Sequence, residues 1–413
     1  MIAADAATEH VETGCCIVGG GPAGMMLGYL LARAGVDVMV LEKHADFLRD
    51  FRGDTVHPST LEVIYELGLL DDFLQRPHQE VQELHGFVGK FETIVADFRF
   101  LPTQCKFIAL MPQWDFLNFL AEHARGFPTF HLRMQADAKE LIEADDRVVG
   151  IRAQTPAGSL EVRAGLTVGC DGRHSIIRQR AGLTVREYGS AIDVLWMRIS
   201  RHADDPFVPL GRFNNGQIFV MLYRDQYWQC AYVIPKGGYD EIRQRGLEAF
   251  RQQILEISPF LGERVNELRS WDDIRLLTVK VDRLERWYRP GLLCIGDAAH
   301  AMSPIGGVGI NMAIQDAVAA ANLLAQPLRE KALKNIDLHR VQRRREFPTW
   351  VTQRAQVFVQ DRVMSRALSA QQALKPPRIV RWLRRWPRLR RIPARLVGLG
   401  VRPEHVHTPD AFA

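Results

Sequence analysis

The sequence predicts an α/β protein in which a parallel, helix-covered sheet is interrupted by an inserted sheet of mixed or antiparallel strands and followed by a helical C-terminal region. Three observations predict it. A glycine-rich turn joins an apolar strand to a helix within residues 15–42, and a second turn of the same kind lies within residues 291–324. Between them, residues 186–280 run mostly as short β-branched and aromatic segments. A chain of 413 residues is long enough to bury two such layers.

The opening stretch reads CCIVGGGPAGMMLGYLLARAGVDVMVLEK. Cys15 to Val18 suit a buried parallel strand, and Gly19, Gly21 and Gly24 follow it in G-x-G-x-x-G spacing. Gly19 permits the tight turn, Gly21 lets backbone approach a pyrophosphate, and Gly24 lets the helix pack close to the strand. The helix then points its free N–H groups at the phosphates, and Pro22 suits its first turn. A second strand, Val36 to Leu41, ends at Glu42, twenty-one residues after Gly21, where a carboxylate can accept hydrogen bonds from a ribose. These features together predict a dinucleotide site. Glu42 argues against a 2′-phosphate there, although Lys43 follows it.

Composition bounds the rest. Apolar residues make up 47% and charged residues 24%, as in ordinary globular proteins. No unbroken apolar run of spanning length is evident, and the N-terminus MIAADAATEHVET does not resemble a secretory signal, so a cytoplasmic location is expected. The six cysteines show no C-x-x-C spacing and read as reduced core residues, with no metal site. Twelve of the 53 basic residues lie between Arg362 and Arg402, where no Asp or Glu occurs. Setting those twelve charges aside turns the net +5 into −7, so the main body is not expected to bind nucleic acid.

Taken in order, residues 1–78 form the first part of the nucleotide domain, with Arg52 in a polar loop and a helix from Ser59 to Leu67. Residues 79–111 contribute strands to the inserted sheet. Residues 112–185 return to the nucleotide domain through an amphipathic helix with Gln113 at its mouth, then strands leading to Asp171. Residues 186–280 form the inserted sheet, interrupted by a helix from Tyr239 to Ile257. Residues 281–337 complete the nucleotide domain with a strand, a turn and a helix from Gly309 to Ala325. Residues 338–413 comprise a long helix to about Ala373 and the basic tail.

Two further stretches carry chemistry. In GLLCIGDAAHAMSPIGGVGINMAIQDAVAAANLL the strand ends at Gly296-Asp297, and Pro304, Gly306, Gly307 and Gly309 lead into a helix. Asp297 is placed to accept from a ribityl or ribose hydroxyl, and the glycine turn offers backbone N–H groups to a second ligand segment. Two such helix starts, far apart in sequence, imply a long ligand held at both ends. In TVGCDGRHSIIRQRAG, Asp171-Gly172 makes a tight turn before Ser175 and Arg178; the alternative reading is a helix cap with a paired arginine.

Together, Gly19 to Gly24 with Glu42, Asp171-Gly172 with Arg178, and Gly296-Asp297 with Pro304, Gly309 and Asn311 resemble the single-component FAD-dependent aromatic hydroxylases of the p-hydroxybenzoate hydroxylase type. The resemblance covers about residues 14 to 350. It implies a glutathione-reductase-type Rossmann domain for FAD with an inserted substrate sheet. It further implies that FAD lies against Gly19, Gly21, Ala23 and Gly24, with Glu42 and Lys43 at the adenosine ribose. Arg52 and Gln113 would serve the pyrophosphate and ribityl chain, and Gly296-Asp297 a ribityl hydroxyl. The backbone of Gly309, Ile310 and Asn311 would neutralise charge developing at flavin N1, and Gly307 would also contact the cofactor. Asp171 is associated with both FAD and the nicotinamide donor, and Pro304 with positioning beside the flavin ring. The implied reaction uses NADH or NADPH and dioxygen, through a flavin C4a-hydroperoxide, to hydroxylate a phenolic, quinone-precursor or polyketide-like substrate. A monomer or homodimer is expected.

Flavin halogenases of this type carry W-x-W-x-I-P, whereas Cys230 to Pro235 read CAYVIP without either tryptophan, which argues against halogenation. A dehydrogenase of the same fold, or a non-catalytic flavoprotein scaffold, shares the FAD motifs and stays open as an alternative. In the inserted sheet, Arg212, Tyr223, Trp228 and Tyr232 are candidates for substrate contact, each also readable as an ordinary sheet residue. The tail RIVRWLRRWPRLRRIPARLVGLGVRP has arginines interleaved with Trp382, Leu383, Trp386, Leu389 and Ile392. The favoured reading is a segment packed on the acidic body; the other is weak contact with an anionic membrane surface.

Overall fold

The computed structural model describes residues 8–48, 55–89, 91–206, 210–214, 216–224, 226–370 and 378–413. Its larger sheet has eight strands, six of them in the order 288–289, 292–294, 158–169, 9–18, 38–41, 130–133. Strand Gly158–Gly169 pairs with Glu9–Val18 along one edge and is long enough to serve two partners along the other. Its N-terminal half pairs with the antiparallel hairpin of Asp137–Ala144 and Arg147–Thr155, and its C-terminal end pairs with Leu292–Cys294. The strand Glu9–Val18 is apolar and buried only over its last four residues, where it lies between two parallel neighbours.

Helix Pro22–Arg33 starts at the glycine turn with Pro22 in its first turn, as the sequence predicts. It packs against helix Gly309–Arg329, and both cover the same side of the core. Helix Pro58–Glu66 takes in Pro58 itself as its first residue. The long C-terminal helix begins at Asn335, three residues before the expected start, because Asp337 accepts from the Lys334 backbone and closes a cap there. It runs to Val359, passes through a π-helical turn at Gln360–Met364 and ends at Leu368.

The second sheet has seven strands in the order 275–277, 192–200, 227–235, 217–223, 210–214, 83–88, 91–97. Of the 79–111 segment only Glu83–Val88 and Phe91–Asp97 join it. Gln79–Val81 and Ile108–Leu110 instead form a small sheet with Thr55–Val56. The helix expected over Tyr239 to Ile257 is two helices, Tyr239–Arg245 and Leu247–Ile257, broken at Gly246 with φ of 90°. Alternation splits the sheet cleanly. Leu195, Met197, Phe219, Met221, Cys230 and Ile234 pack under Leu247–Ile257, and Ile192, Val194, Ile218, Ala231 and Val233 face the other way.

Composition alone did not flag one feature. Residues Ile305–Arg329 are long and apolar enough to cross a membrane, but 83% of that window is buried inside the fold, so its hydrophobicity serves the core.

Candidate functional site

Parallel pairing sets the site. Val18 is in register with Gly169 and with Leu41, and Gly169 with Cys294. The residues that follow, Gly19, Glu42, Asp171 and Gly296-Asp297, therefore leave the sheet at one edge, where the carboxyl ends of parallel strands conventionally offer a crevice to ligands.

The glycines show what the crevice must admit. At Gly19, φ is +106° and an added Cβ would lie 2.5 Å from the Cys170 carbonyl oxygen; at Gly24 it would lie 2.0 Å from the Gly19 oxygen. Both are needed for packing. Gly21 and Gly309 differ: each opens a helix, and an added Cβ at either meets nothing within 4 Å. Open space in front of two helix N-termini, on packed helices, fits an extended anionic ligand such as FAD. Asn311 adds to the fit. Its Oδ1 accepts from Thr60 Oγ at 2.7 Å, which leaves the buried Nδ2 a donor without a protein partner.

Glu42 is nearly buried, and its carboxylate accepts from the Gly20 N–H at 3.0 Å and from the His44 N–H at 3.0 Å, so it also holds the glycine turn. Lys43 is exposed beside it, and Gln113 is the first residue of helix Gln113–Ala124. Ala23 packs 3.1 Å from the Cβ position of Gly296, which joins the two glycine turns. Arg52 lies outside the described residues.

Asp171 accepts from Ser175 Oγ at 2.5 Å and from the Ile177 N–H at 3.1 Å, while Ser175 accepts from the Arg178 N–H at 3.0 Å. Burial raises its pKa, against the pull of these donors. Arg178 reaches Asp282 at 3.4 Å and the Ala298 carbonyl at 3.5 Å, and Arg173 lies 3.7 Å from Asp297. The capping account thus describes the side chains of Asp171 and Ser175, and the two arginines tie this turn to the Gly296-Asp297 loop.

That loop rests on a buried network with no local signature in the sequence. Asp316 accepts from the Gly296 N–H at 3.0 Å, pairs with His300 Nε2 at 2.6 Å and with Arg345 Nε at 2.9 Å; Arg345 also reaches Glu404 at 3.3 Å. Burial would raise the Asp316 pKa, but His300 and Arg345 hold it below the usual carboxylate range.

Next along the chain, residues 303–305 are gripped by the long helix. Gln356 accepts from the Ser303 N–H at 3.1 Å and donates to the carbonyls of Ser303 at 2.9 Å and Ile305 at 3.0 Å. Gln360 donates to Ser303 Oγ at 2.7 Å and accepts from Ser190 Oγ at 3.1 Å, so it joins this loop to the start of the second sheet. Half-buried Pro304 lies between these anchors. On the loop's other side, Thr55 Oγ donates to the Gly307 carbonyl at 3.2 Å.

His57 is fully buried near the same loop. Its Nδ1 donates to the Val397 carbonyl at 2.8 Å, and its Nε2 has no partner in the protein. Burial pushes its pKa down to about 4, so the ring is neutral in the folded state. The unfolded chain takes up this proton near pH 6.5, the folded chain only near 4. Stability from this residue is therefore complete above about pH 6.5 and lost as pH falls towards 4, by about 3 kcal/mol in all. Thermal melts of His57→Gln should show a shallower fall across that window than the parent; an equal slope would show that other groups set it.

The four residues considered for substrate contact lie elsewhere. Trp228 and Tyr232 are in the core beneath helix Leu247–Ile257, Tyr223 packs against that core, and Arg212 stacks over Phe87 and Phe260. The opposite face, Val194, Trp196, Ile218, Val220 and Val233, shares a cluster with Ile305 of the gripped loop. Trp196 Nε1 on that face is a buried donor with no protein partner.

A family described as FAD binding domain matches residues 12–355. The chain belongs to this FAD-binding family. A 6-methylpretetramide 4-monooxygenase of Streptomyces rimosus is 33% identical over 370 residues, covering 89% of this chain and 88% of that one. A para-nitrophenol 4-monooxygenase of Pseudomonas sp. strain WBC-3 is 27% identical over 348 residues, covering 81% and 83%. Among solved structures, the p-nitrophenol 4-monooxygenase of Pseudomonas putida DLL-E4 superposes with a TM-score of 0.72 at 22% identity and 94% coverage of both chains, which shows a shared fold. This flavoprotein is an FAD-dependent monooxygenase of the aromatic hydroxylase type, and the glutathione-reductase-type domain with its inserted sheet is as the sequence predicts. The dehydrogenase and scaffold alternatives are not favoured.

Proposed function

We propose that this monooxygenase hydroxylates a phenolic, largely apolar aromatic compound of fused-ring, polyketide-like form, using NADH or NADPH and dioxygen in the cytoplasm. The observation that carries the reading is the apolar sheet face that packs with Ile305 of the Pro304 loop and with Met364, Ala367 and Leu368 of the long helix, interrupted by one unpartnered donor, Trp196 Nε1. Such a surface suits a flat ring system that offers one acceptor. The relative named for 6-methylpretetramide supports the same class. Six buried, unpaired cysteines agree with a reducing compartment.

FAD, when bound, supplies the redox and oxygen chemistry, and the chain's own residues supply placement. Gly21 and Gly309 admit the cofactor to two helix N-termini, Glu42 is placed for the adenosine ribose, and Asp297 for the ribityl chain. Arg52 and Gln113 are assigned to the pyrophosphate side. Gln356 and Gln360 fix the loop carrying Pro304 against the sheet that carries the substrate, and the apolar face excludes water.

Titrating the FAD-loaded enzyme with phenols of one, two and four fused rings tests this, read as a change in flavin absorbance. The larger ring systems should bind tightest. Preference for the single-ring phenol would overturn the substrate class. Trp196→Phe should raise KM about tenfold with kcat and FAD content little changed, the size of one lost hydrogen bond to a neutral group. An unaltered KM would remove Trp196 from the substrate site.

A further inference from the structure

The C-terminal tail is held to the body on its inner side. Helices Arg378–Arg385 and Arg391–Gly398, with the turn Pro387–Arg390 between them, lie against the hairpin strand Phe91–Asp97. Leu383, Ala394 and Gly398 are buried, and Arg384 and Arg391 stack over Phe91 and Phe100. Beyond it the chain returns to the nucleotide domain, where Glu404 meets Arg345 and Asp410 meets Arg33. The favoured sequence reading, a packed tail, describes this side.

The outer side carries apolar residues that no core explains. Trp382 is 60% exposed, Trp386 61%, Ile392 59% and Leu396 52%. Trp382 lies in the last turn of the first helix and Trp386 just past its end, where the Trp386 N–H still donates to the Trp382 carbonyl at 2.8 Å. Ile392 and Leu396 are one turn apart on the second helix and share a face. Around them stand Arg381, Arg385, Arg388 and Arg395, which make no ion pair among the described residues.

We infer that this outer face is an interfacial anchor for an anionic phospholipid surface. Tryptophans favour the boundary between headgroups and acyl chains, and the arginines match the charge of anionic headgroups. Charge argues against a second copy of this chain as the occupant, because a two-fold contact would set these arginines against themselves. A nucleic acid would satisfy the arginines but offers no apolar layer for Ile392 and Leu396. The anchor lies outside the proposed substrate and FAD residues, so it stands or falls separately from them.

Sedimentation of the full-length holoenzyme with vesicles tests the inference, using equal parts phosphatidylcholine and phosphatidylglycerol, or phosphatidylcholine alone. The expected result is association with the anionic vesicles at least about tenfold above that with phosphatidylcholine, weakening as salt is raised. Trp382→Ser combined with Trp386→Ser should reduce it about tenfold, and Arg385→Glu with Arg388→Glu comparably, while turnover of a soluble substrate is unchanged. Absence of anionic binding overturns the inference. So does binding that the tryptophan variant leaves intact, displacement of the vesicles by duplex DNA, or a dimer that the tryptophan variant dissolves.

Discussion

Replacing Gly21 by valine should yield a folded protein that purifies without flavin. The position has φ of −76°, ordinary for any residue, and an added Cβ meets no protein atom within 4 Å. The fold therefore has no reason to reject the side chain. The space it enters is the approach to the N–H groups at the start of helix Pro22–Arg33, where the proposed placement brings the pyrophosphate of FAD closest. Loss of at least about 100-fold in FAD affinity is expected, about 2.7 kcal/mol. Gly24→Ala makes the contrast: its Cβ would lie 2.0 Å from the Gly19 oxygen, so it should lower stability as well as FAD content. The check is flavin absorbance together with a thermal melt of the flavin-free protein. A Gly21→Val protein that binds FAD normally would place the cofactor elsewhere.

Gln356→Leu should uncouple the enzyme. The glutamine satisfies the Ser303 N–H and the carbonyls of Ser303 and Ile305 in a buried setting, and leucine leaves all three without it. Each unsatisfied buried group costs about 1–3 kcal/mol, so a stability loss of a few kcal/mol is expected. The more specific effect is on chemistry. With Pro304 no longer fixed between its anchors, nicotinamide oxidation should continue while product per nicotinamide falls severalfold and hydrogen peroxide appears. Gln356→Glu can still accept from Ser303 but cannot donate, and should fall between the two. A variant that is less stable but fully coupled would show that Gln356 only supports the fold. Gln360→Leu should behave similarly, because Gln360 joins the same loop to Ser190 of the second sheet.

The two glycine turns were legible because backbone geometry dictates them. Gly19, Gly24 and Gly296 stand where backbones approach or φ is positive, and Glu42 directly follows the second strand. Substrate-sheet parity was not legible. Both faces of strands Gln217–Tyr223 and Tyr227–Pro235 are apolar, so alternation does not reveal which one a helix covers, and Trp228 and Tyr232 fell on the covered side. The break at Gly246 hid inside an otherwise amphipathic run. Gln353, Gln356 and Gln360 are polar residues spaced along one helix, and their burial depends on the 301–305 loop, more than 50 residues earlier in the chain, which no local pattern signals. Glu404 likewise gained its meaning from Arg344 and Arg345 across the fold.

The most direct test of the central claim is NADH and NADPH consumption by the FAD-loaded protein in ¹⁸O-labelled dioxygen, with and without a fused-ring phenol. The expected result is an aromatic compound that accelerates nicotinamide oxidation and gains one labelled oxygen atom. Nicotinamide oxidation that no aromatic compound accelerates, or a product oxidised without label, would contradict it.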